Sequence, residues 1–414
     1  MMLFPVRHRF FFRWILFFFC GLGISGCVFF KSAETPAAAP APTPETALVR
    51  LGVSDYPDFS DGLFLDNLVH GVEQSLTYLK KLPNDRVFQF GPDTYTHRHL
   101  VESLVRLRDF AKTRPDPESL NQFVTAHYRV YRSVGGKNGN MLFTGYYEPH
   151  LYGSLTPSSR YRYPVYSLPT DLITIHLAPF STEYAGKKIV GLIKNDTVVP
   201  YPDRKAIEAD TGFSRKARPI AWVDNRVDLF FLHIQGSGRI YLPGGTFIRV
   251  HYHGTNGRPY RSIGKLLMDQ GKISAENMSM QAIKTWLARH PKEVDAVLNA
   301  NPSYVFFKTE ATGPTGAIGV DLTPGRSVAV DRRVFPMAAP AFLQTRIPTI
   351  DGNGQIQRWI DFSAFALNQD TGGAIKGPGR VDIFWGNGPY AQVAAGHLKE
   401  PGAFFLLVLD PDRM

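Results

Sequence analysis

From about residue 140 onward the apolar residues come in short aromatic and β-branched runs, each stopped by Gly or Pro. "MLFTGYYEPHLYGS", "RYRYPVYSLP" and "VDLFFLHIQGSGRIYLPGGTFIRVHYHG" all have this form, as do "SYVFFKT", "RSVAVD", "RWIDFSAFA", "VDIFWG" and "AFFLLVL" nearer the end. Runs this brief fall short of a stable helix and suit strands joined by tight turns. The spacing therefore predicts a mainly β body with a β-barrel-like core and a strand-rich inserted domain over 151–245. Helical spacing occupies 59–136 instead, in "FLDNLVHGVEQSLTYLKKL", "HLVESLVRLRDFAKT" and a segment that Asp116 caps, that Pro117 opens and that runs to Gly135-Gly136. It returns at 262–271, 279–291 and 291–301. The fold class is α+β, mainly β, and no solenoid-length repeat is visible.

The first residues constrain the compartment. Arg7, Arg9 and Arg13 precede the apolar stretch "WILFFFCGLGIS", which is short for a membrane span and closes on "ISGC". Ser25 and Gly26 before Cys27 resemble a bacterial lipobox. That resemblance implies a signal peptide over 1–26, lipidation of Cys27 and, with Val28 and Phe29 following, release to the outer membrane. Cys20 lies inside the signal, so the mature chain keeps no thiol for a disulfide and must be held by its core. "AETPAAAPAPTPETA" is a Pro/Ala tether that reaches roughly 45 Å when extended. The formal charge is +10. Export excludes nucleic acid as the partner of a chain this basic, and leaves anionic lipid and the carboxylates of the cell wall.

Several patterns point to chemistry. Asp370-Thr371-Gly372 has the form of an aspartic protease loop, but two such loops must share one proton and the chain holds a single copy. Asp382 sits among Val381, Ile383, Phe384 and Trp385, where poor hydration raises a carboxyl pKa and prepares a general acid. An Asp on the solvent face of a half-buried strand, or one paired with Arg380 or Lys376, is the structural alternative. His251 and His253 have metal-ligand spacing without a third ligand nearby. "QGSGR" lacks the Gly two places before Ser that a nucleophile elbow requires, and "GPTGAIG" is neither a Rossmann nor a phosphate-loop fingerprint.

Six ordered blocks carry more. "FTGYYEPHLYGS", "LFFLHIQGSGRI", "NGRPYRSIGKLL", "NPSYVFF", "GAIGVDLTPGRSVAVDRRVFP" and "DTGGAIKGPGRVDIFWGNGP" together resemble the membrane-bound lytic murein transglycosylase A family, from about Met141 to the end. The C-terminal blocks look like its three-aspartate domain, with Asp331, Asp370 and Asp382 at the matching positions. The resemblance implies a double-psi β-barrel core domain with helices and an inserted smaller β-barrel-like domain. It divides the chain into a signal (1–26), a tether (27–50), a helical lead-in (51–150), the insert (151–245) and the rest of the core (246–414), with the three-aspartate barrel at about 305–414.

The same resemblance implies cleavage of the β-1,4 bond between N-acetylmuramic acid and N-acetylglucosamine, leaving a 1,6-anhydro end. Asp382 matches the acid–base residue, Asp370 a second site aspartate, and Asp331 a structural one. Thr144, Tyr146, Tyr147, Gln235, Ser237 and Gly238 lie in blocks expected to face the sugar. No cofactor or metal is implied. The expected partners are peptidoglycan glycan strands, the membrane through the N-terminal lipid, and cell-wall synthesis or division proteins. A monomer on the periplasmic side of the outer membrane is expected. A non-enzymatic peptidoglycan-binding lipoprotein is the competing reading.

Overall fold

A computed structural model describes residues 43–136 and 139–413. The signal, Cys27 and most of the tether lie outside the described residues.

Three helices lead in, Leu68–Leu79, His97–Lys112 and Pro117–His127. Thr96 and Asp116 cap the last two by accepting the N–H of His99 and Ser119. The third helix stops at His127, short of the expected Gly135-Gly136, because "YRVYRS" alternates and forms the Tyr128–Ser133 strand. That strand pairs with Lys399–Leu409. The helices pack on the β body: the Gln369 side chain donates to the Gly71 carbonyl (2.7 Å) and to Ser75 Oγ (2.9 Å). A fully buried ion pair, Arg326–Asp61 at 2.6 Å, joins the segment before the first helix to the barrel.

The barrel closes through six strands. In order around the wall they are Lys399–Leu409, Pro340–Ile350, Ile356–Asp370, Ser327–Ala329, Arg380–Phe384 and Met141–Tyr146, which pairs back with Lys399–Leu409. Two neighbouring pairs are parallel, Ser327–Ala329 with Ile356–Asp370 and Arg380–Phe384 with Met141–Tyr146. Phe143, Val328, Val381, Ile383 and Leu406 are fully buried and fill the core, while Phe365 faces the other way and packs on Phe59 of the lead-in. Alternate positions on each strand face outward.

The chain leaves the barrel after Tyr146 and builds a second sheet before it returns. Its strand order is Val305–Glu310, Phe247–Thr255, Ser237–Tyr241, His150–Ser154, Pro219–Val223 and Tyr163–Tyr166. A bridge between Ser167 and Phe307 draws the two edges together, so this sheet is itself barrel-like. Two of its strands, Phe247–Thr255 and Val305–Glu310, lie beyond the expected 151–245 segment. A small three-stranded sheet, Ile173–His176, Lys188–Lys194 and Thr197–Pro200, projects from it.

One expected strand is a helix. "RVDLFFLHIQ" forms Arg226–Gln235, with Asn225 accepting the N–H groups of Val227 and Asp228 and Gly236 ending it at φ 82°. A short apolar run has no periodicity that separates a buried helix from a buried strand, and here the two caps decide. Among the described residues no helix is long and apolar enough to cross a membrane.

Candidate active site

A single row across the barrel wall carries the charged groups. Ala329 lies opposite Asp370 on one side and Asp382 on the other. Asp382 lies opposite Thr144, and Thr144 opposite Lys399. Directly opposed residues project to the same face of a sheet. Val381 and Ile383 point into the core, so Asp382 points out. The five side chains thus stand together on the outer wall. The sequence named Asp370, Asp382 and Thr144 singly but not their alignment, because the row crosses five strands.

Asp382 is only 16 % exposed. Its Oδ1 accepts a hydrogen bond from the Thr144 hydroxyl and one from Arg380 Nε at 3.3 Å. Arg380 also donates from Nη2 to Thr144 Oγ1 (3.2 Å) and from Nη1 to the Ala374 carbonyl (3.3 Å). Burial pushes the Asp382 carboxyl up to about 6, against the opposing pull of the Arg380 charge and hydrogen bond.

Asp370 is held differently. Tyr146 Oη donates to its Oδ2 at 2.8 Å, and the N–H groups of Thr371 and Ala317 donate to Oδ1 at 2.8 and 2.9 Å. Burial pushes Asp370 up to about 6 as well. Its three hydrogen bonds oppose the rise and the nearby Asp382 charge adds to it. Burial, with the Asp370 charge next, keeps the Tyr146 phenol protonated, so it remains a donor. The result is two carboxyls in one row, each able to hold or release a proton near neutral pH.

The remaining expected residues divide. Asp331 lies away from this row in a turn, where its carboxylate takes Arg333 Nε and Nη2 (2.9 and 2.6 Å) and the Gly377 N–H (2.7 Å). Burial would push it up, but these bonds win and hold it below its ordinary value. Tyr147 turns into the core towards Met280, while its N–H donates to Gln235 Oε1 at 3.1 Å. Ser237 is buried in the second sheet. Gly238 is packed so closely that a Cβ there would come within 2.5 Å of Leu232 Cδ1. Gln235, Ser237 and Gly238 thus sit at the joint between barrel and second sheet, and Thr144 and Tyr146 sit in the row itself.

Sequence reasoning missed the group that fixes this joint. Glu148, 1 % exposed, accepts from Arg239 Nε at 2.7 Å and Asn387 Nδ2 at 3.3 Å, and its N–H donates to the Gly386 carbonyl. The only signal was a Glu inside an aromatic block. His251 and His253 gain no third ligand, and among the described residues no cluster of three or more His, Cys, Asp or Glu is placed to hold a metal.

A closed six-stranded barrel with paired carboxyls on its wall, interrupted by a second β sheet, defines a two-part carboxylate-bearing β protein. Residues 142–308 match the family described as the MltA specific insert domain, and residues 326–408 match the 3D domain. Membrane-bound lytic murein transglycosylase A of Vibrio cholerae is 30% identical over 364 residues, which cover 79% of this chain and 90% of that one. A membrane-bound lytic murein transglycosylase from Agrobacterium tumefaciens superposes with a TM-score of 0.71 at 32% identity, covering 88% of this chain and 98% of that one. Escherichia coli MltA with bound chitohexaose superposes at 0.68 and 26% identity, covering 89% and 96%. The chain belongs to the membrane-bound lytic murein transglycosylase A family.

Proposed function

We propose that this protein cleaves the β-1,4 bond between N-acetylmuramic acid and N-acetylglucosamine in peptidoglycan without adding water. The observation that carries this reading is the Asp382–Thr144–Arg380 cluster beside Asp370, both carboxyls raised to about 6. Protonated Asp382 gives its proton to the glycosidic oxygen as the bond to muramyl C1 breaks. The muramyl C6 hydroxyl, tethered to the same ring, attacks C1, and the Asp382 carboxylate takes its proton. A tethered nucleophile needs positioning more than activation, so one carboxyl serves as acid and then as base, where hydrolases use two. The product is a 1,6-anhydromuramic end.

Asp370, steadied by Tyr146 and two backbone N–H groups, faces the positive charge that develops at C1. Thr144 orients the Asp382 carboxyl. Tyr147, Gln235, Ser237 and Gly238 shape the joint beside the sugar site, and Asp331 holds its turn. The two parallel strand pairs support a double-psi arrangement of the barrel, with the matched insert family as its second domain. The lipobox supports a Cys27-linked lipid on the periplasmic face of the outer membrane. A carboxyl that serves as acid and then as base supports chemistry without a cofactor or metal, and the protein is read as a monomer acting on glycan strands.

The test incubates residues 48–414 with purified peptidoglycan and EDTA and weighs the soluble products, with Asp382→Asn alongside. Anhydro ends, about 18 Da lighter than hydrolytic ones and absent from the variant, support the mechanism. Products carrying the extra water make the enzyme a hydrolase. Protein that sediments with the wall and releases nothing makes it a binding lipoprotein.

A further inference from the structure

The charge along the row is one-sided. Asp370 stands at one end and Asp382 in the middle. Lys399 stands exposed at the other, opposite Thr144, and Arg380 lies two residues before Asp382 on the same face. The Arg380 guanidinium spends one N–H each on Asp382, Thr144 and the Ala374 carbonyl, of the five it carries. Its side chain is 32 % exposed. Tyr260, also partly exposed, lies near enough for its phenol to feel the Arg380 charge. The acid works only when protonated, and in that state Arg380 loses its counter-charge. A second cation, Lys399, then shares the same corner; among the described residues no carboxylate bonds to it, although the Glu276 carboxylate is near enough to feel its charge.

We propose that Arg380 and Lys399 form a carboxylate-binding corner that reads the acidic arm of the muramyl residue, so that the enzyme selects charged muramyl glycan over neutral glycan. The proposal rests on the function given above and names the substrate feature that the site recognises. The muramyl ring is the sugar whose C1 turns positive. Asp370 suits that charge, and the cations at the other end suit the carboxylate carried on the ring's lactyl group. The planar guanidinium offers paired donors to such a group, and Lys399 adds a point charge. Two sources supply this chemistry: the free lactyl carboxylate of peptide-stripped strands, and the carboxylates of the stem peptide.

The experiment compares kcat/KM on purified glycan with that on the same glycan after its carboxylates are converted to neutral amides. Peptide-stripped and peptide-bearing strands are run as separate arms, and the arm with an Arg380-dependent preference names the source. The wild-type protein should favour the charged glycan by about tenfold, and added salt should shrink that preference. In Arg380→Gln the ratio of the two efficiencies should fall close to one, whatever happens to either rate. Arg380→Lys should keep much of the preference, and Lys399→Gln should narrow it. Circular dichroism confirms that each variant is folded. An unchanged ratio in Arg380→Gln overturns the proposal, because it leaves Arg380 acting on Asp382 alone. So does a wild-type protein without preference. A wild-type protein that cuts neither glycan counts against the transglycosylase reading instead. Sedimentation with the two glycans then gives the same ratio as binding, and equal binding overturns the corner.

Discussion

Asp382→Asn should remove activity and at the same time stabilise the fold at neutral pH. Burial moves the Asp382 carboxyl from 3.8 to about 6, and about two pH units at 1.36 kcal/mol each amount to about 3 kcal/mol. The folded state resists the charged form, so the favourable contribution of this group is complete below pH 3.8 and is lost as pH rises through about 6. Asparagine is neutral throughout and avoids the loss. The opposing pull of Arg380 is already contained in that value, so the net gain above pH 7 is about 3 kcal/mol, and below pH 4 it is close to zero. Urea unfolding followed by tryptophan fluorescence at pH 4 and pH 7.5 reads both limbs. A variant that is no more stable than wild type at pH 7.5, or equally stabilised at both values, would refute a buried carboxyl with a raised proton affinity.

Other outcomes follow from the same geometry. Because Asp382 must carry a proton, kcat/KM should fall about tenfold per pH unit above about 6, and a flat profile from pH 5 to 8 would remove it as the acid. Tyr146→Phe takes one of the three donors from Asp370, so the Asp370 titration should move further up, by about one pH unit. Carboxyl-labelled NMR follows that titration, and a midpoint at or below the wild-type value contradicts the assignment. Glu148→Ala leaves Arg239 without its counter-charge at the joint and should cost about 3 kcal/mol. A urea midpoint within error of wild type would show that the pair does not hold the two sheets together.

Asp382 was legible as a candidate, yet for a reason that the fold revises. Its apolar neighbours Val381 and Ile383 point the other way, into the core. They give the strand its place in the wall, and the desolvation of Asp382 comes from what stands on the outer face. The helices of the lead-in were legible because their periodicity is long and their caps are strong, as at Asp116. Pro340–Ile350 was not, since Pro340 and Pro348 break the strand pattern while its pairing with Ile356–Asp370 runs almost end to end. The partners of the carboxyls were out of reach for a plainer reason. Tyr146 lies 224 residues from Asp370 and Thr144 lies 238 from Asp382, and local pattern carries no information over that distance. Arg380, two residues from Asp382, was visible only as a salt-bridge alternative.

The closure of the barrel has a consequence for timing. The strand that brings Thr144 to Asp382 is made early. It is locked between Arg380–Phe384 and Lys399–Leu409 only when nearly all of the remaining chain exists. Contacts of such long range form late and slowly. A chain clipped about a dozen residues short of Met414 keeps the residues that pair with the Thr144 strand but loses those that pair with Pro340–Ile350 and Tyr128–Ser133, which hold its partner strand in the barrel. The wall around Asp382 is therefore among the last parts of the barrel to be completed.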